Sequence, residues 1–169
     1  TDITTNERGA IVVNDTCESS VPGVYAVGDV NGGPQFTYIS LDDFRIVFGA
    51  LTGNGQYTLK DRKNIPYTTF LTPPLARVGL TEEDAINKGY TVKTKEMLVA
   101  TMPRAHVNDY LKGAFKIVVN AENNLILGAT LYSQGAEELI NLIKMAMDNN
   151  IPYTYFKNQI FTHPTMAEN

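Results

Sequence analysis

Two residues near the C-terminus have the types and spacing for acid–base chemistry. In Phe161-Thr162-His163-Pro164-Thr165-Met166-Ala167-Glu168-Asn169 a histidine is followed by a proline and, five positions on, by a glutamate. Imidazole titrates near neutrality, so His163 can both give and take a proton. Glu168 can accept a hydrogen bond from one ring nitrogen, which fixes the tautomer and stabilises the imidazolium. Pro164 removes a backbone donor and pushes His163 into extended backbone, placing the ring on a defined loop. The same spacing also fits an ordinary surface turn. A second candidate lies near the other end. Val24-Tyr25-Ala26-Val27 reads as a short, buried strand that runs into Gly28-Asp29. Glycine there would let a ligand approach the backbone, and Asp29 could bind hydroxyls. A strand-terminating turn capped by Asp29 fits equally.

The rest of the composition narrows the classes. With 169 residues the chain can bury one proper core, or one domain plus a fragment. A net charge of −4, from 14 basic and 18 acidic residues, gives no footprint for nucleic acid or an anionic membrane. No apolar run approaches the length of a membrane span. The first residues, Thr1-Asp2-Ile3-Thr4, have no initiator methionine and no signal-like pattern, which reads as a cut inside a longer protein. Cys17 is the only cysteine. It excludes a paired redox centre within these residues and fits a reducing, cytoplasmic setting. There is no clustered His/Cys pattern for a metal. Asn14-Asp15-Thr16 matches a glycosylation sequon, without other signs of secretion.

The elements that must position these residues follow from periodicity. Gly9 to Asn14 reads as a strand, and Pro22-Gly23 marks a turn before Val24. A helix is expected from about Thr37 to Leu51, with Leu41, Phe44, Phe48 and Leu51 on one face. Thr37, or Ser40 with Asp43, would cap it. Gly53 and Gly55 end it, and the polar stretch to Pro66, with its solvated Lys60-Asp61-Arg62-Lys63 cluster, reads as a linker. Short strands follow at Tyr67–Phe70 and Ala76–Leu80. Thr81 opens a helix through a capping box and Gly89 closes it. One irregular or edge strand falls within Val92–Met102. A hairpin spans Phe115–Val119 and Leu125–Leu131 around Asn120–Asn124. A second long helix, about Gly135 to Asp148, carries a stripe of Leu139, Leu142, Ile143 and Ala146, while Met145 and Met147 serve packing. Thr154 would cap a brief last helix that delivers the chain to His163. The order predicts an α+β fold: a mainly antiparallel sheet with helices packed against it.

His163-Pro164-Thr165-x-x-Glu168 resembles the C-terminal signature of the pyridine nucleotide-disulfide oxidoreductases, the family of dihydrolipoamide dehydrogenase, glutathione reductase and mercuric reductase. Thr16-x-x-x-x-Val21-Pro22-Gly23-Val24-Tyr25-Ala26-Val27-Gly28-Asp29-Val30 is similar to the family's second flavin-binding motif. Thr72-Pro73-Pro74-x-Ala76-x-Val78-Gly79-Leu80-Thr81-Glu82 resembles the entry to its interface domain, and Gly128-Ala129 with Glu138-Leu139-Ile140 its hairpin-to-helix segment. The resemblance implies residues 1–61 as the end of an FAD-binding domain and 62–169 as a dimerisation domain. It implies FAD as cofactor, with Asp29 and Gly28 at its ribityl and phosphate region. Thr37, Tyr38 and Ile39 would lie at its pyrimidine ring, although Tyr38 fits a core position as well. NAD(P)H is the implied co-substrate and a homodimer the implied assembly, in which His163 is the acid/base for the partner subunit's cysteine pair and Glu168 its orienter. The first FAD motif, the nicotinamide fold and the cysteine pair do not occur in these residues, so the chain alone is expected to be inactive. Gln35 to Asp43, with Met102-Pro103-Arg104-Ala105, is most similar to a bacterial branch linked to reactive-chlorine resistance. That branch implies metal ions or oxidant-stress substrates. A stand-alone dimerising or binding module is the competing expectation.

Overall fold

The structure, a computed structural model, describes residues 2–169. The chain divides into two compact units, Thr1–Lys63 and Asn64–Asn169.

In the first unit the expected strands around Gly9–Asn14 and Val24–Val27 do not form ladders. They contribute the isolated antiparallel bridges Thr5↔Ile11 and Glu18↔Tyr25. A strand is sustained by pairing along its length, and among the described residues neither segment has that partner. Ala26 is buried, whereas Val24 and Val27 are exposed. The segment ends in a single 3₁₀ turn, Gly28–Asn31. Helix α1 (Thr37–Thr52) follows and is closed by Gly53 in the left-handed region. Its inner face is not the expected one. Ile39, Asp43 and Ile46 are buried, while Leu41, Phe44, Phe48 and Leu51 are half or more exposed. The helix therefore has apolar residues on two faces, and packing selects between them. Neither expected cap operates: Phe36 is the N-cap without a side-chain bond.

The second unit holds a five-stranded antiparallel sheet of β1 (Tyr67–Thr69), β2 (Leu75–Gly79), β3 (Val92–Leu98), β4 (Ala114–Asn120) and β5 (Ile126–Tyr132), in the order β1-β2-β5-β4-β3. Its helices are α2 (Glu82–Asn87), α3 (Pro103–Val107), α4 (Ala136–Asp148) and α5 (Tyr153–Asn158). This is the α+β architecture that the pattern predicts. Thr81 caps α2 as expected, accepting from the Asp84 amide at 3.0 Å while Asp84 reaches back to Thr81. The core forms where β2 and β5 pair. Ala76 lies opposite Leu131 and Val78 opposite Ala129, and α4 lays Ala136 and Ile140 over them. Leu139, Ile143 and Met147 pack at the margin, whereas Leu142 and Met145 are exposed. Ala146 is buried as expected, so of the expected stripe only Leu142 faces outward, and Ala136 and Ile140 extend the buried face. Gly128 permits the close approach at the end of this pair: a Cβ there would meet the Leu80 carbonyl oxygen at 2.0 Å. Edge strand β3 carries Lys93, Lys95 and Glu96 on its exposed length, which discourages further pairing. Among the described residues no helix is long and apolar enough to cross a membrane.

Candidate functional site

The C-terminal loop of the second unit is built from the sheet outward. Helix α5 begins after Pro152, so Thr154 lies within it rather than capping it; proline supplies the fixed φ that a helix start tolerates. Phe156 of α5 stacks on Phe161 with ring centroids 6.4 Å apart, which sets the exit direction of the chain. The His163–Pro164 peptide bond is cis. Met166 then packs on a buried cluster of Val99, Met102 and Ala105 beside Phe115. This contact anchors the loop between the two residues of interest. An apolar groove of about 260 Å³ runs under the loop, lined by Met97, Phe115, Leu139, Phe156, Phe161 and Met166 among others.

On this loop His163 and Glu168 come together. The Nδ1 atom of His163 lies 2.9 Å from Oε2 of Glu168, and the other oxygen, Oε1, accepts from the Thr165 amide at 2.9 Å. Thr165 Oγ1 donates to the Thr162 carbonyl at 2.8 Å, and Asn169 donates to the Thr165 carbonyl at 3.1 Å. An ionised carboxylate can only accept, so the bond to Glu168 places the imidazole proton on Nδ1. The Nε2 atom is left as the basic position. The ring is 66 % exposed and the glutamate side chain 19 %. The Thr165 amide, and after it the bond from His163, hold the Glu168 carboxyl below its ordinary value. Glu168 therefore stays charged where an imidazole titrates. The pair has the geometry of an oriented proton carrier with one open nitrogen.

The second cluster lies in the first unit. Gly28 is buried with φ +70°, and a Cβ there would lie 2.5 Å from Ser40 Oγ, so glycine answers both conformation and contact. Asp29 is exposed on the turn that Gly28 opens. Thr37 and Tyr38 are exposed at the start of α1, with Tyr38 stacked on Phe36 at 5.1 Å. Ile39 is buried and its amide donates to the Phe36 carbonyl at 2.9 Å. Gly28 thus packs against the first turn of α1.

Three residues that the sequence reading assigns to no site, Asp43, Asn31 and Arg62, complete this cluster. Asp43 is fully buried, and its Oδ2 accepts from the Gly28 amide at 2.7 Å and from Asn31 Nδ2 at 2.9 Å. Its Oδ1 accepts from Arg62 Nη2. Arg62 also donates through Nε to Asp42 at 2.7 Å and is nearly buried, so it is not part of a solvated charge run. The signal in the sequence is position: Asp43 stands between Ile39 and Ile46 at helical spacing, a charge on the inner stripe. Cys17 is fully buried nearby. Burial, and after it the Asp43 carboxylate, push its thiol up from 9.0 to about 11.

Comparison with known proteins gives a consistent result. The family described as "Pyridine nucleotide-disulphide oxidoreductase, dimerisation domain" matches residues 65–169, and "Pyridine nucleotide-disulphide oxidoreductase" matches residues 1–43. A probable pyridine nucleotide-disulfide oxidoreductase, RclA of Escherichia coli K12, is 48 % identical over 166 residues, which is 98 % of this chain and 38 % of that protein. Mercuric reductase of Staphylococcus aureus is 34 % identical, over 98 % of this chain and 30 % of its own length. A solved structure of the HOCl-induced flavoprotein disulfide reductase RclA from Escherichia coli superposes with a TM-score of 0.95 at 47 % identity, again over 98 % of this chain and 38 % of the other. The chain thus spans less than two fifths of the length of these relatives.

Proposed function

The chain belongs to the pyridine nucleotide-disulfide oxidoreductase family, and we propose that it acts as the C-terminal part of an FAD- and NAD(P)H-dependent homodimeric member, supplying His163 and Glu168 to the partner subunit's thiol/disulfide site. Residues 1–61 would end the FAD-binding domain and 62–169 would form the dimerisation domain. The observation that carries the proposal is the 2.9 Å contact between His163 and Glu168 on a domain that matches the family's dimerisation region.

The first unit has residues that fit part of a flavin site. Asp29 offers an exposed carboxylate on a turn tied from beneath by Asp43, Thr37 and Tyr38 are exposed at the start of α1, and the buried Gly28 and Ile39 would meet the flavin through their backbone. When bound, FAD supplies the two-electron relay between nicotinamide and disulfide. The role of this chain is then proton handling. Thiol–disulfide exchange needs the attacking thiol as thiolate, and the departing thiolate leaves better when it is protonated. Nε2 of His163 takes the first proton, the imidazolium is stabilised by Glu168, and the same nitrogen returns the proton to the leaving sulfur. Cys17 is single and buried, so both reacting sulfurs come from outside these residues. The likeness to a protein described as an HOCl-induced flavoprotein disulfide reductase and to a mercuric reductase favours a disulfide, metal-ion or oxidant substrate, and the single cysteine fits a reducing, cytoplasmic setting.

The test is His163→Ala in the full-length protein, with dimerisation followed by sedimentation. Substrate turnover is expected to fall by about 10²–10⁴-fold, the scale of positioned acid–base catalysis, while flavin reduction by NADPH persists. Unchanged turnover in an intact dimer would overturn the catalytic role and leave a dimerising module. The chain alone is expected to show no NADPH turnover.

A further inference from the structure

We infer that Asp43, with Asn31 and Arg62, is the positioning group that turns the proposed flavin-contacting residue Asp29 outward; the inference rests on the flavin reading of the Gly28–Asn31 turn. Both ends of this four-residue turn are hooked on one oxygen atom. Gly28 donates its amide and Asn31 its side-chain amide to Oδ2 of Asp43, at 2.7 and 2.9 Å. With the first and last residues drawn inward, Asp29 stands between them on the exposed side. Asn31 is itself braced, accepting from the Gly33 amide at 3.0 Å and donating to the Ala26 carbonyl at 3.3 Å. The oxygen is in turn held by α1, because Asp43 lies on its buried face between Ile39 and Ile46.

The charge matters to this arrangement. Three donors converge on Asp43: a backbone N–H, an amide and a guanidinium. Only a carboxylate accepts from all three, since an asparagine in its place would direct an N–H₂ group at one of them. A fully buried carboxylate is tolerable because Arg62 neutralises it, and Arg62 is held in turn by Asp42 at 2.7 Å. Such a buried pair adds little net stability compared with apolar packing. What it does determine is direction, because each hydrogen bond fixes an angle as well as a distance. The consequence is a turn whose outward carboxylate is set by a residue that does not touch the ligand.

Asp43→Ala, which removes both acceptor oxygens, tests this in two preparations. In the full-length flavoprotein the variant is expected to raise the FAD dissociation constant at least tenfold. At saturating FAD its kcat should lie within about threefold of the parent, since no reacting group is altered; a variant that merely unfolds would not recover. In the 169-residue chain, hydrogen exchange of the Gly28 amide should accelerate at least tenfold, with the β4 and β5 amides unchanged. FAD affinity within twofold of the parent, in a protein where Asp29→Ala has lost FAD, would overturn the positioning role. Should Asp29→Ala itself leave FAD affinity intact, the flavin reading of the turn falls and this inference falls with it. Unaltered Gly28 exchange would overturn the hook itself, whatever the flavin does.

Discussion

Glu168→Gln isolates what the carboxylate does to His163. The native carboxylate accepts through Oε2 from the ring and through Oε1 from the Thr165 amide. In the variant the amide oxygen can keep the Thr165 bond, which turns its N–H₂ toward Nδ1. That nitrogen must then accept, and the proton moves to Nε2. A hydrogen bond to a charged group is stronger than one between neutral groups. The imidazole here is 66 % exposed, so solvent screens part of that preference. The tautomer population should still shift measurably toward Nε2–H. The chain has two histidines, and His106 is a built-in reference. Its Nε2 lies 2.8 Å from the Ala100 carbonyl, which can only accept, so His106 holds its proton on Nε2. Ring ¹⁵N shifts recorded at about pH 8.5, two units above the ordinary imidazole value, should show opposite tautomers for the two residues. Glu168→Gln should move His163 toward the His106 pattern and leave His106 unchanged. Identical His163 ring shifts in the variant would refute the orienting role, and with it the assignment of Nε2 as the open base.

Two further outcomes follow from the packing and the buried thiol. Ile140→Ala removes the centre of the contact between α4 and the β2–β5 pair, at a cost of about 2–5 kcal/mol. At about 4–8 °C per kcal/mol for a domain near this size, the second unit should melt at least about 8 °C lower by circular dichroism, and a drop under 4 °C would mean that this interface is loose. Cys17, fully buried with its thiol near 11, should react with a thiol reagent at about pH 8 only after denaturant is added; prompt native labelling would contradict the packing. The raised value also sets a sign: between pH 9.0 and about 11 the unfolded thiol ionises while the folded one keeps its proton. Stability is therefore complete below this window and falls as pH rises through it. Denaturation midpoints for Cys17→Ala should lose that component of the pH dependence.

The two candidate sites differ in how much of them could be read from residue order. His163 and Glu168 are five residues apart, and a loop pinned by Phe161 and Met166 closes on itself, so local spacing is sufficient to bring the atoms to 2.9 Å. The hairpin of β4 and β5 is legible for the same reason, with a turn of Asn120 to Asn124 between two apolar runs. The cluster around Gly28 is different, because its parts are 12 to 19 residues from Asp43 and meet only once α1 has chosen a face. That choice is not in the periodicity. A stripe at Leu41, Phe44, Phe48 and Leu51 outweighs Ile39, Asp43 and Ile46 in apolar content, yet the second stripe is the buried one. Amphipathic spacing states that a helix has a face to bury; it does not state which face is buried when both are apolar. The charge in the poorer stripe is the better guide. Placed between two isoleucines, Asp43 requires converging donors wherever it is buried, and the Gly28 amide, Asn31 and Arg62 are those donors. A buried carboxylate thus identifies its own surroundings more specifically than four leucines and phenylalanines can, and it points at the turn that carries Asp29.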